Sequence, residues 1–228
     1  MADTNGTGAE PGPDVEPDGD VDRLTRRLAR TRAALKEAEQ LLEERSRELW
    51  AANEALVEAV RQLDDQAKHD ELTGLPNRRS IQEWIAPRVR PTLRTGMRIG
   101  LLSIDLDHFK DVNDAHGHAI GDAYLQEVAR RFTAAVRTDD LVVRLGGDEI
   151  LILLHGVRDL DDAVAVATKV RAAIDMPLMA GGRTLHPTAS IGVTLLHDGE
   201  NLEAAQRRAD FALYGAKSAG RNRIMVAG

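Results

Sequence analysis

Leucine recurs at every seventh position through Leu28, Leu35, Leu42, Leu49, Leu56 and Leu63, in a stretch from residue 21 to 68 that contains neither Gly nor Pro. An apolar period of seven is the seam of a coiled coil. The companion seam positions hold Leu24, Thr31, Ala38, Arg45, Ala52 and Ala59, so the predicted zipper is modest in strength and no set of opposite charges fixes its register. At roughly 1.5 Å per residue such a helix is longer than a small domain is wide. Parallel pairing of two copies accounts for it better than a single amphipathic helix packed on its own domain.

Beyond residue 68 the period changes. In DELTGLPNRR, residues 70–79, Gly74 and Pro76 end the rod, and Asn77 is placed to cap a helix running through Trp84. Arg78 and Arg79 are placed to pair with Asp70 or Glu71. Residues 98–104 read as a strand buried on both faces, giving way to Asp105 and Asp107, which alternation puts on one face. Lys110 and Asn113 follow in a short helical turn. Gly117 marks a loop, and 119–136 reads as an amphipathic helix with Asp122 in its first turn. Two apolar, β-branched runs, 141–145 and 150–154, then flank Gly146-Gly147-Asp148-Glu149 as a hairpin. A helix over 160–176, a Gly181-Gly182 turn, one or two strands up to residue 196, a helix over 201–219 stopped at Gly220, and a strand at 223–226 complete the reading. The expected organisation is a tail at 1–20, a coiled-coil stalk at 21–68 and an α/β domain at 69–228.

Charge is concentrated at one end. Residues 1–20 hold six acids, four glycines and three prolines without a Lys or Arg, which predicts a disordered acidic tail. The formal net charge of -7 argues against a nucleic-acid binder. No run is apolar enough to span a membrane and no export signal is visible, so the expected location is cytoplasmic, with no membrane partner. The absence of cysteine excludes disulfides and thiolate chemistry. Aromatics are 3% of the chain, which leaves the core to Leu, Ile, Val and Ala.

The candidate chemistry lies in the hairpin. Two glycines without side chains let the backbone approach a phosphate, and two adjacent carboxylates can hold a divalent cation. His108, His116 and His118 lack the spacing of a helical metal pair and have no thiol to complete a site.

Five blocks in order, DELTGLPNRR, IDLDHFKDVND with HGHAIGD, RLGGDEI, ASIGV and ADFALYGAKSAGRNR, resemble the GGDEF family of diguanylate cyclases over residues 66–226. The resemblance implies an α+β palm-like domain with a central, mostly antiparallel sheet flanked by helices. It further implies condensation of two GTP molecules into cyclic di-GMP and two pyrophosphates across a homodimer. Asp105, the Leu106 carbonyl, Asp148 and Glu149 match the magnesium site, two ions per active site with manganese as an alternative. Among these Glu149 and Asp148, with Lys110, match the catalytic positions. Asn113 and Asp122 match guanine readers, while Gly146, Gly147, Lys110, Lys217 and Arg221 match phosphate-binding positions. Arg137 and Asp140 match the RxxD site at which cyclic di-GMP inhibits. Ile150 departs from the family's usual Phe, and lost ring packing is the expected result. A catalytically silent cyclic di-GMP receptor acting through RxxD and the coiled coil is the alternative, as is a related cyclase making another dinucleotide. The acidic pair favours an enzyme over the first, and Asn113 with Asp122 favours GTP over the second.

Overall fold

A computed structural model describes residues 18–227. The described residues divide into two units, one up to Arg61 and one from Gln62 onward. Helix α1 (Asp18–Ala67) runs for 50 residues, starting inside the segment expected to be tail. The rest of that expected tail lies outside the described residues. The seam leucines Leu28, Leu35, Leu42, Leu49 and Leu56 stand open to solvent, from 53% exposure at Leu28 to 70% at Leu49. Arg45, the cation on the seam, is paired with Glu48 one turn on, an exposed contact that contributes only a few tenths of a kcal/mol, about 0.2 to 0.5. Among the described residues no helix is long and apolar enough to cross a membrane.

The second unit begins with two short helices, α2 (Ser80–Ile85) and α3 (Val89–Arg94). Strand β1 (Arg98–Leu106) leads into α4 (Phe109–His116) and α5 (His118–Ala135). The hairpin is β2 (Leu141–Gly146) and β3 (Glu149–Val157), followed by α6 (Leu160–Ile174). A small ribbon, β4 (Leu178–Ala180) with β5 (Arg183–Leu185), precedes β6 (Ala189–Leu195), α7 (Leu202–Ser218) and β7 (Ile224–Val226). The main sheet has the order β2-β3-β1-β6-β7, antiparallel throughout except for the final parallel pair.

Central β1 is buried on both faces, which is why its sequence reads as an unbroken apolar run. Leu102, Ile104, Ile152 and Leu154 meet α5 and α6 on one face, while Leu101, Leu151 and Leu153 meet α2 and α7 on the other. Ile150 is 2% exposed and sits in the first of these layers opposite Ile104, so an aliphatic side chain fills the place where the family usually has a ring.

Several local expectations are corrected. Asn77 does not cap α2: its amide donates to the carbonyls of Ala67 at 2.8 Å and His69 at 3.3 Å, while its side-chain oxygen accepts from the Arg79 amide. It therefore clasps the chain where α1 ends. Asp70 is engaged by Arg144, 74 residues on, and not by Arg78 or Arg79. Lys110 and Asn113 lie in a full eight-residue helix, longer than one turn.

Close helix-to-sheet packing depends on Gly192. A Cβ at this position would lie 2.0 Å from the Ala209 carbonyl and 2.4 Å from the Leu213 amide, so α7 rests on the bare backbone of β6. Gly192→Ala is expected to destabilise the domain by about 1 to 3 kcal/mol, as overpacking does, read as an earlier urea midpoint with an unchanged slope.

Candidate active site

The sheet register brings the two acidic blocks together. Asp105, at the end of β1, is paired directly with Glu149 at the start of β3, and the Leu106 amide donates to the Asp148 carbonyl at 3.4 Å. Asp105 is 8% exposed, an unusual place for a carboxylate. Burial pushes its pKa above the ordinary carboxylate value, the charges of Asp148 and Asp107 push the same way, and the ammonium of Lys217 opposes them. Lys217 comes from α7, with its Nζ 2.6 Å from Asp105 Oδ2. A cation is thus already drawn to this cluster of acids.

The hairpin tip is fixed by Arg144. Its Nε and Nη2 donate to the Gly147 carbonyl at 3.0 and 2.8 Å, and its Nη1 donates to both oxygens of Asp70 at 2.8 and 3.0 Å. Burial alone would raise the Asp70 pKa, but hydrogen bonds from the Thr73 hydroxyl and amide and from Arg144 outweigh it and hold the carboxyl below its ordinary value. Gly147 has φ +54°, the left-handed region where glycine is unstrained. One guanidinium therefore ties the tip to the turn following α1.

Asp107 behaves differently from Asp105. Its carboxylate is 5% exposed and accepts from Ser190 Oγ at 2.8 Å, Thr188 Oγ1 at 3.0 Å and the Asn222 amide at 3.0 Å. These bonds draw the start of β6 and the loop containing Arg221 against the end of β1. Asp107 is a structural anchor, its carboxylate taken up by internal hydrogen bonds, whereas Asp105 meets Lys217. Sequence reasoning missed this, along with Arg144 and with Asp210, which accepts from the buried Ser103 hydroxyl at 2.7 Å. Their partners are remote in the chain, and the only local hint was a polar Ser or Thr inside an apolar strand.

The remaining candidates line the same end of the sheet through α4 and α5. His108, with φ +59°, turns the chain out of β1 into α4, which presents the exposed Lys110. Asn113 packs on Gly121 so tightly that a Cβ there would lie 1.9 Å from its Oδ1, and Asp122 is the next residue. Gly121 thus sets the separation between Asn113 and Asp122. Arg137 and Asp140 stand apart, before β2, at the opposite end of that strand from Gly146. The Asp140 carboxylate accepts from the Arg137 and His155 amides, each at 2.9 Å, and so shapes the turn from which the exposed Arg137 projects.

The donor chemistry suits a hard divalent cation bound together with a phosphate-bearing ligand. Among the described residues no three acidic or histidine side chains converge to hold a metal by themselves. Two carboxylates and a backbone carbonyl are nevertheless what magnesium uses when substrate oxygens and water complete its octahedron.

Comparison with known proteins agrees with this arrangement. Residues 67–223 match the family "Diguanylate cyclase, GGDEF domain". The chain is 40% identical over 169 residues to the bifunctional diguanylate cyclase/cyclic di-GMP phosphodiesterase MucR of Pseudomonas aeruginosa, covering 74% of this chain and 24% of that protein. It is 38% identical over 166 residues to the diguanylate cyclase DgcM of Escherichia coli K12, covering 73% of this chain and 40% of that protein. The chain thus spans well under half the length of either relative. Among solved structures, the coiled coil and GGDEF domain of DgcB from Caulobacter crescentus, in complex with c-di-GMP, matches with a TM-score of 0.73 at 28% identity, over 82% of this chain and 99% of that one. With the five sequence blocks, the sheet order and a family match over most of its length in agreement, the chain belongs to the GGDEF-domain diguanylate cyclase family.

Proposed function

We propose that this protein condenses two molecules of GTP into cyclic di-GMP with release of two pyrophosphates, each of two copies holding one GTP. The convergence of Asp105 with Asp148 and Glu149 beside Lys217 carries this reading. In it Asp105, Asp148 and the Leu106 carbonyl hold magnesium, with Glu149 beside them. The ion supplies charge neutralisation to the triphosphate. The ribose 3′-hydroxyl of each GTP attacks the α-phosphate of the other, the bond to the β-phosphate oxygen breaks, and pyrophosphate leaves. Glu149 takes the hydroxyl proton. Lys110, Lys217 and Arg221 hold phosphate oxygens, and Gly146 and Gly147 leave room for them. Asn113 and Asp122 read guanine, since a carboxylate can accept from its ring N–H and exocyclic amine, a donor pair that adenine lacks.

Incubation with GTP and magnesium, followed by nucleotide chromatography, tests this directly. Cyclic di-GMP is expected from the unaltered protein and roughly a hundredfold less from Glu149→Ala, the loss typical of a missing general base. A product other than cyclic di-GMP, or none, would sink the proposal.

The solvent-facing leucine seam of α1 supports a parallel coiled-coil dimer, which raises the effective concentration of one half-site for the other. Product inhibition in this reading acts at the turn formed by Arg137 and Asp140, where a guanidinium fork can grip a guanine edge or a phosphate. Arg137→Ala is expected to weaken inhibition by added cyclic di-GMP at least tenfold and to leave the initial rate unchanged, a loss of about 1.4 kcal/mol in inhibitor affinity. Unchanged inhibition would remove the site from the reading.

A further inference from the structure

Among the described residues three other than glycine have a left-handed backbone, and two of them are neighbours, Arg221 at φ +62° and Asn222 at φ +44°. Gly220 before them is positive as well, at φ +110°. An L residue is strained in this conformation, which persists only where its surroundings impose it. The exit from α7 is therefore strained at the place that carries Arg221, a position read above as phosphate-binding.

What imposes the strain can be named. The Arg221 amide donates to the Ala216 carbonyl at 3.0 Å, a bond that belongs to the end of α7 itself. Asn222 is gripped by two other elements. Its amide donates to Asp107 Oδ2 at 3.0 Å, just past the end of β1, and its side-chain Oδ1 accepts from Arg171 Nη1 of α6, also at 3.0 Å. The Arg223 carbonyl then accepts from the Ile191 amide at 2.9 Å, which returns the chain to the sheet. Arg171 lies 51 residues before Asn222, outside all five sequence blocks of the resemblance. Its Nη1 stands 3.6 Å from Asp175, a carboxylate one turn along α6, and so lies closer to the neutral amide than to the charged group. Asn suits this place twice over, since it tolerates a left-handed backbone better than most residues and offers an oxygen to the clamp.

We propose that Arg171 is a positioning residue for the nucleotide: by holding Asn222 it keeps the exit of α7 left-handed, and that backbone presents the Arg221 guanidinium to the triphosphate. Relaxation of either neighbour to negative φ redirects the chain at Arg221 and carries its side chain elsewhere. The assignment rests on the reading of Arg221 as a phosphate-binding residue of the cyclase, while the positioning itself is measured by binding, without turnover.

Two ligands separate the phosphate contacts from the rest of the site: 3′-deoxyguanosine triphosphate, which has no 3′-hydroxyl to react, and guanosine monophosphate. Arg171→Met keeps the aliphatic stem and removes the donors. With magnesium present it is expected to weaken triphosphate binding by about fivefold or more and to leave monophosphate binding within about twofold of the unaltered protein. Lys169→Met removes the same charge from an exposed position of the same helix and is expected to change neither. In an Arg221→Ala background, Arg171→Met is expected to weaken triphosphate binding by less than about twofold more, because the group it positions is gone. Asn222→Gly accepts the left-handed backbone but offers no oxygen to Arg171, and is expected to reproduce the selective loss from the other end of the contact. Equal losses for the two ligands in both Arg171→Met and Asn222→Gly, as a merely structural role would give, overturn the proposal. An equal triphosphate loss from Lys169→Met, or full additivity with Arg221→Ala, overturns it too. Selective loss of the triphosphate in Arg171→Met, from a protein that makes no cyclic di-GMP, would leave the positioning role standing and remove the cyclase reading alone.

Discussion

Asp105→Asn is expected to lower cyclic di-GMP formation roughly a thousandfold, a loss of about 4 kcal/mol in transition-state stabilisation. The substitution changes almost no volume, yet it removes a formal charge from the point where β1, the hairpin and Lys217 meet. An amide can still accept a hydrogen bond from Lys217, so the local packing survives. Because Asp148 and Asp107 already crowd the carboxylate with like charge, its neutralisation relieves repulsion and leaves the fold intact. Retained thermal stability with lost turnover is therefore the expected pair of results. Initial rates at saturating GTP and magnesium decide the matter: a variant within tenfold of the unaltered protein would mean that Asp105 holds no metal.

The second large effect concerns stability. Arg144→Ala is expected to destabilise the domain by about 3 kcal/mol, because truncation leaves the Asp70 carboxylate largely buried without its cation and the Gly147 carbonyl without two donors. A urea titration measures the loss, and a change under about 1 kcal/mol would show that the pairing contributes no more than a surface salt bridge. The contact has a sign in pH as well. The Asp70 carboxyl is held below its ordinary value of 3.8 in the folded protein, so its contribution is present in full above that value and is lost as pH falls through the folded pKa. The acid limb of the stability curve in Arg144→Ala is accordingly expected to be flatter than in the unaltered protein.

What could be read from the sequence divides along physical lines. The strand at the centre of the sheet, the hairpin and the long helices were legible because each is encoded by a local period or by turn residues. The meeting of Asp105 with Glu149 came only from the family resemblance of the blocks that hold them, because no local period places one strand end beside one hairpin. The anchors behind the site were not legible. Asp107 finds Ser190 at a separation of 83 residues and the Asn222 amide at 115, and Arg144 finds Asp70 at 74. No period encodes such pairs, and a carboxylate spent on internal hydrogen bonds has the same spelling as one that holds a metal. Asn77 misled for a similar reason, since its cap-like setting hides an amide that reaches backwards to the end of α1. Helix α3 and strand β4 are too short for any period to declare them, whereas β5 falls among the one or two strands read after the Gly181-Gly182 turn.

The contact of α7 with the sheet is made by Ala205, Ala209, Ala212 and Ala216 over Gly192. Side chains of this size leave almost nothing to delete, so drift along this seam is one-sided: shortening is nearly exhausted and every lengthening wedges the layers apart. The same helix bears Lys217, whose reach to Asp105 depends on how low α7 lies. Residues with no chemistry of their own thus act as shims that set the height of a charged group, and their smallness serves distance as much as packing.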